Sequence, residues 1–279
     1  MQTQLSATPL SPEFQQKYDA LASNIQQLGH LAIAFSGGVD STLLLKVAHD
    51  ALGENAVAIT ARAQMIPARE VQEASDFCNI EHIRHIIMDV DAFAIDGFAE
   101  NPANRCYVCK TALFGCILQK AADLGFSHVA EGTNTSDLGD YRPGLKALAE
   151  LSVESPLLKA GLSKADVREL SHALGLPTWN KPSYACLASR VPYGNTITAE
   201  KLSAIETAED LLIEAGFAQV RCRAHGKLAR IEVPPAQRVA LMEAFTTSDL
   251  AARIRNAGFD YVSVDAEGYL SGSLNRTIE

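Results

Sequence analysis

No stretch of the 279 residues approaches the ~20 consecutive apolar side chains that a membrane-spanning helix needs. The opening MQTQLSATPLSPEF lacks a basic patch ahead of an apolar run, so no secretory signal is read there. These absences lead to the expectation of a soluble cytoplasmic protein with no membrane partner, whose thiols stay reduced. Positive charge is also scarce: 24 Lys and Arg stand against 33 Asp and Glu, a net −9. Proteins that grip a nucleic-acid backbone usually present a basic surface, so a small-molecule partner is expected rather than a nucleic acid. Zinc-site spacing is missing too, because no second CxxC and no suitably spaced His pair accompanies Cys106 and Cys109.

What is present is an ordinary core-forming composition, 47% hydrophobic and 20% charged. Short apolar runs alternate with helical periodicity. LAIAF (31–35), AVAITA (56–61), HIRHIIMDV (82–90), HVAEGTN (128–134) and SVESP (152–156) are read as strands or strand starts. Helices are expected between them, including one over 67–79, one through Leu113–Leu124 closed by Gly125, and one capped by Ser163. Alternation of this kind predicts an α/β fold, a parallel sheet with helices on both faces. After VPYG (191–194) the pattern changes to helix 197–216, two strands around a Gly turn, helix 235–257 and a last strand, FDYVSVD. The expected division is therefore 1–194 and a smaller α+β domain over 195–279.

Two constellations carry chemistry. Ser36-Gly37-Gly38-Val39-Asp40-Ser41-Thr42 joins a buried strand to a helix. Glycines let backbone approach an anion, and the helix N-terminus adds unpaired N–H groups and a positive dipole. Ser36, Ser41 and Thr42 offer hydroxyls, while Asp40 suits Mg²⁺ or a helix cap. The turn has neither the Gly-Lys-Ser/Thr ending of a Walker loop nor a GxGxxG pattern. The second constellation is cysteine. Cys106 and Cys109 in NRCYVCK open a helix, and Cys186 lies in the loop KPSYACLASR. Three thiolates without a fourth fit a [4Fe–4S] cluster with one open iron; alternatively the CxxC is structural and Cys186 acts alone. Cys78 and Cys116 fall within helices and are read as small buried hydrophobes. Arg142, Arg190, Arg221 and Arg223 are candidate cations for substrate phosphate and carboxylates, with Glu209 as a partner. Strand alternation puts Arg221 and Arg223 on one face and Cys222 on the other.

The string SGGVDST resembles the PP-loop of the ATP pyrophosphatases, the family of GMP synthetase, NAD synthetase and the tRNA thiolases. That resemblance implies ATP binding by Ser36, Gly37, Gly38, Asp40, Ser41 and Thr42, with the end of the second strand (Thr60, Ala61, Arg62) near the adenine. Gly132-Thr133-Asn134 would lie near the nucleotide as well. Taken with NRCYVCK, EGTN, DYRPG, KPSYACLASR and SVDAEGYLSGSLN, the chain resembles one branch, the LarE family of ATP-dependent sulfur transferases of nickel-pincer nucleotide synthesis, from about residue 12 onward. This implies adenylation of the carboxylates of a pyridinium biscarboxylic acid mononucleotide, then conversion to thiocarboxylates. Two sulfur sources occur in the family: a sacrificial cysteine matching Cys186, or a [4Fe–4S] cluster on cysteines matching Cys106, Cys109 and Cys186. All three are present, so the cluster type is expected, fed by an unidentified sulfide donor. Family analogy also implies a homo-oligomer and catalytic roles for acidic and basic residues such as Glu209 and Arg223. Glu131 and Asp137 would serve metal or nucleotide. The rival readings are a tRNA thiolase and a non-catalytic metal- or nucleotide-binding protein.

Overall fold

The computed structural model describes residues 10–139, 143–182 and 185–270. They group into two compact units, one formed by the described parts of 10–63, 68–90 and 106–182, the other by 64–67, 91–105 and 185–270.

The first unit runs α1 (Pro12–Gln26), β1 (Leu31–Ala34), α2 (Val39–Leu52), β2 (Ala56–Arg62), α3 (Ala68–Ile80), β3 (His85–Asp89), α4 (Arg105–Asp123, its first residue grouped with the second unit), β4 (His128–Ala130), α5 (Pro143–Glu150), α6 (Pro156–Lys159) and α7 (Lys164–Ala173). Its four strands are parallel in the order β3-β2-β1-β4. Alternation along the central strands builds two cores. Leu31, Ile33 and Ala58 join Leu21 and Ile25 of α1, Leu43 and Leu44 of α2, and Val167 and Leu170 of α7. Ala32, Val57 and Ile59 face the other way, onto Phe114, Ile117 and Ala121 of α4 and Leu148 of α5. Burying each large apolar side chain contributes about 1.5–3 kcal/mol, which makes the register of β1 hard to shift. The connection from β1 leads to β2 on one side while β4 pairs on the other. In such sheets ligands bind outside the carboxyl ends of the strands at this switch point, which here is bordered by residues 35–42 and 131–134.

The second unit contains α8 (Ala199–Glu214), the antiparallel pair β5 (Arg221–His225) and β6 (Leu228–Glu232), α9 (Arg238–Thr247), α10 (Leu250–Asn256) and β7 (Tyr261–Val264), which runs parallel to β6. Gly226, at φ +62°, turns the hairpin. Residues 64–67 and 91–105 are tied in by hydrogen bonds: Leu187 N donates to Met65 O at 2.8 Å, and Ala92 N to Gln64 Oε1 at 2.8 Å. Asn101, buried at φ +55°, donates through Nδ2 to the carbonyls of Val191, Pro192 and Asn195.

Local structure departs from the sequence expectation at two places. The helix expected over 235–257 divides into α9 and α10, because Thr246, Thr247 and Ser248 turn their hydroxyls back onto the carbonyls of Glu243 and Ala244. The strand expected over 152–156 is one bridge, Ala130 to Glu154, since Ser152 adopts φ +53° and Pro156 opens α6. As expected, Cys106 and Cys109 open a helix: α4 begins at Arg105 and runs on through the stretch read at 113–124, so both thiols occupy its first two turns. Among the described residues, no helix is long and apolar enough to cross a membrane.

Candidate functional site

Between β1 and α2 the chain has the form of an anion cradle. Gly37 sits at φ +67°, and a Cβ there would press on Ala74 Cβ at 3.3 Å and Glu70 O at 3.4 Å. Gly38 is the N-cap of α2, and no side chain caps that helix start. Its first N–H groups are therefore left for an incoming anion, where the helix dipole also favours negative charge. Ser36 and Ser41 hydroxyls are 3.1 Å apart, and Ser41 Oγ donates to Gly38 O at 3.2 Å, which fixes the turn from inside. Thr42 Oγ1 is buried in the first turn with no hydrogen-bond partner among the described residues.

The loop after β4 is built against this cradle. Buried Glu131 accepts from Thr133 N at 3.0 Å, Thr133 Oγ1 at 2.8 Å and Ser155 Oγ at 2.7 Å. Asn134 N donates to Asp137 Oδ2 at 3.0 Å, and Asn134 Nδ2 to Asp40 Oδ1 at 3.1 Å. Gly132 lies so close to the start of α2 that a Cβ would stand 2.9 Å from Asp40 Cβ and 3.0 Å from Ser41 N. Glu131 and Asp137 thus hold the loop's shape. At the end of β2, Thr60 Oγ1 donates to Phe35 O at 2.7 Å, Ala61 is buried, and exposed Arg62 makes two hydrogen bonds to Asp89 at 2.6 and 2.9 Å.

Two lysines that the sequence reading passed over stand on the same turn. Lys164 Nζ is paired with Asp40 Oδ2. Lys181 Nζ donates to Gly37 O at 2.9 Å and pairs with Glu73. They come from 124 and 144 positions further along the chain, so no local motif announces them.

None of the six cysteines is in a disulfide. Cys78 and Cys222 are buried; burial pushes the Cys78 thiol up to about 12 and the Cys222 thiol well above its ordinary value, which leaves both as inert neutral groups. Cys116 is exposed, where a buried position was expected. Cys106 and Cys109 are half-buried in the first turns of α4, three positions apart and so on neighbouring points of one helix face. Cys186, also half-buried, precedes a short 3₁₀ turn in the second unit. By donor type, three partly exposed thiols suit a soft group such as an iron–sulfur cluster. Among the described residues, however, no three His, Cys, Asp or Glu side chains are gathered as a metal site.

The loop of Cys186 is held by buried charge. Arg190 is 0% exposed and makes a two-pronged pair with Glu209, itself 0% exposed, Nε and Nη2 each donating at 2.8 Å. Arg190 Nη1 donates to the carbonyls of Ala185 and Cys186. Glu209 Oε1 also accepts from Cys222 N at 2.9 Å, joining α8, β5 and the loop. Arg223 donates to Glu232 at 3.0 and 2.8 Å and through Nη1 to Ser189 O at 2.9 Å, while Ser189 Oγ donates to Cys186 O at 2.8 Å. Arg221 donates to Val220 O at 2.7 Å, lies over the Tyr269 ring, and is shifted below its ordinary pKa by burial. Alternation correctly leaves Cys222 buried, yet Arg221 and Arg223 are buried as well. Arg142 lies outside the described residues.

No protein-family model matches the chain. It is 43% identical over 262 residues to an uncharacterized protein of Synechocystis sp., covering 94% of this chain and 98% of that one. It is 34% identical over 264 residues to the pyridinium-3,5-bisthiocarboxylic acid mononucleotide synthase of Lactiplantibacillus plantarum, covering 94% of this chain and 95% of the synthase. A tRNA-specific 2-thiouridylase of Azorhizobium caulinodans is 29% identical over 189 residues, covering 54% of this chain and 48% of that enzyme.

Proposed function

The chain belongs to the family of the pyridinium-3,5-bisthiocarboxylic acid mononucleotide synthases, PP-loop enzymes that use ATP, and on that premise we propose that it converts the two carboxylates of a pyridinium mononucleotide to thiocarboxylates. A carboxylate is a poor electrophile until one oxygen becomes a leaving group. Its oxygen attacks the α-phosphorus of ATP, the bond to the bridging oxygen breaks, and pyrophosphate departs. The acyl-adenylate then receives sulfur at the carboxyl carbon, the bond to AMP breaks, and the sequence repeats on the second carboxylate.

The observation that supports this most is the uncapped N-terminus of α2, bonded through Asp40 to the loop of Gly132 and Asn134. N–H groups, glycines and hydroxyls there suit a polyphosphate, and Thr60 and Ala61 border the adenine in this reading. Asp40 would hold Mg²⁺, which supplies charge neutralisation at the phosphates. Cys106, Cys109 and Cys186 would hold a [4Fe–4S] cluster, which supplies a sulfide bound at an open iron. Arg190 donates to Cys186 O and Arg223 to Ser189 O three residues on, which fixes the backbone around that thiol.

A second reading of the sulfur source rests on the half-buried thiol of Cys186 alone. In it Cys186 Sγ attacks the acyl-adenylate, AMP leaves, and loss of the Cα proton with cleavage of the Cβ–S bond yields thiocarboxylate and dehydroalanine. The test is incubation of anaerobically purified protein with MgATP and pyridinium-3,5-biscarboxylic acid mononucleotide, followed by mass spectrometry of product and protein and an iron assay. Thiocarboxylate with AMP and pyrophosphate is expected. Iron with an intact Cys186 assigns the cluster, and dehydroalanine without iron assigns the sacrificial cysteine. Absence of any thiocarboxylate overturns the reading.

A further inference from the structure

The segment SVDAEGYL, residues 263–270, leaves β7 and brings an aromatic ring up to a buried guanidinium. Tyr269 is half-buried, and Arg221 stands over its ring, 5.0 Å from the centroid. We propose that Tyr269 is the platform for the substrate's pyridinium ring, which it holds by the positive charge of that ring. The proposal rests on the pyridinium mononucleotide reading above.

The loop fixes that ring from the backbone outward. Asp265 N donates to Ile231 O at 2.9 Å, continuing the pairing of β7 with β6. Asp265 Oδ1 accepts from Glu267 N at 2.8 Å and Gly268 N at 2.9 Å, which curls the chain back. Arg230 pairs with Asp265 and, at 3.2 Å, with Glu232 of β6. Gly268 sits at φ +83°, and a Cβ there would stand 2.6 Å from Val233 O. With only hydrogen in that place, Tyr269 N reaches Val233 O at 2.8 Å. The Tyr269 ring is thereby delivered at a set position beside Arg221.

Charge decides what such a ring can take. Arg190, Arg221 and Arg223 are all buried, and burial first, then the charge of Arg190, pushes the pKa of Arg221 below its ordinary value. Guanidinium groups suit the carboxylates and phosphate of a mononucleotide. They repel the ring that bears those carboxylates, because a pyridinium carries a fixed positive charge on nitrogen. An aromatic face removes that conflict: its quadrupole attracts a cation without adding a formal charge that would repel the anionic groups. The Arg221 contact shows that the Tyr269 ring holds a cation in this way. Arg221 is 2% exposed, so the face it covers is closed to solvent, and the accessible part of Tyr269 lies away from it. A planar cation arriving on that side stacks on the ring while Arg221 stays in place.

The test measures binding to wild type, Tyr269→Phe and Tyr269→Leu by calorimetry. The probes are pyridinium-3,5-biscarboxylic acid mononucleotide, its reduced dihydropyridine form, which has the same anionic groups on an uncharged ring, and MgATP. Tyr269→Leu is expected to lose about three- to thirtyfold in affinity for the pyridinium form. Tyr269→Phe, which keeps the aromatic face, is expected to stay within about threefold of wild type. Affinities for the reduced form and for MgATP are expected to be the same in all three proteins. Wild-type affinity of Tyr269→Leu for the pyridinium form overturns the platform. An equal loss of the pyridinium and reduced forms also overturns it, because the ring charge then contributes nothing. So does a loss in Tyr269→Phe as large as that in Tyr269→Leu, which assigns the effect to the hydroxyl. If the wild type binds MgATP but not the pyridinium nucleotide, the substrate reading itself fails.

Discussion

At the scale of single residues, Gly132 is the position where a small change is predicted to do most. A methyl group there would meet Asp40 Cβ at 2.9 Å and the Ser41 backbone at 3.0 Å. Neither side can retreat cheaply, because Glu131 fixes the loop through three hydrogen bonds and Asn134 ties it to Asp40. Gly132→Ala is expected to cost about 1–3 kcal/mol of stability through overpacking and to weaken ATP binding by roughly tenfold or more. Urea unfolding and calorimetry check this, and a variant with wild-type ATP affinity would sink it. The glycines and hydroxyls of 36–42 were legible in the sequence because their chemistry is local: strand, turn and helix follow one another directly. The lysines were not, since only the packing of α7 on α2 brings Lys164 to Asp40. The arginines were legible as charges, and Glu209 as a partner, but sequence does not show that Arg190 and Arg223 are buried against carboxylates. Burial came from elements whose pairing a linear reading does not provide.

At the scale of elements, periodicity read well where one face alone is buried, as in α7 with Val167 and Leu170. It failed where hydroxyl side chains compete for backbone groups, as at the break between α9 and α10. The three strands β1, β2 and β3 are also joined by a side-chain relay with a predicted pH dependence. His85 Nε2 lies 2.8 Å from Thr60 Oγ1, and the Thr60 hydroxyl hydrogen is committed to Phe35 O. The neutral imidazole therefore donates from Nε2. Burial pushes the pKa of His85 below its ordinary value. The unfolded chain takes up a proton near the ordinary histidine pKa of ~6.5, whereas the folded chain takes it up only at lower pH. The contribution of this group is present above the unfolded value and lost as pH falls through the folded one. Urea midpoints measured from neutral to acidic pH are expected to decline in the wild type and to decline less steeply in His85→Gln, whose amide can still donate to Thr60. Identical slopes would remove His85 from the account.

At the scale of the whole molecule, the α/β class and its parallel sheet followed from the alternation of short apolar runs with helices. The grouping of 64–67 and 91–105 with the second unit did not, because it depends on Asn101, Gln64 and Met65 bonding to partners far along the chain. In the proposed reading two kinds of chemistry rest on different residues, with Cys106 and Cys109 falling in the first unit alongside the turn. The turn, lysines and Gly132 loop belong to the first unit, and Cys186 with its clamp of buried arginines belongs to the second. Activation and sulfur delivery should then respond to different substitutions. Cys186→Ala leaves every group of the nucleotide cradle in place, so substrate-dependent exchange of pyrophosphate into ATP is expected to stay within about threefold of wild type. Thiocarboxylate formation is expected to be lost, since both sulfur sources need that thiol. Cys106→Ser then divides the sources: under the cluster reading it also loses thiocarboxylate, and under the sacrificial reading it keeps one sulfur transferred per chain. If Cys186→Ala loses exchange and thiocarboxylate together, the thiol is part of the activating machinery and the division of labour between the two sets of residues is wrong.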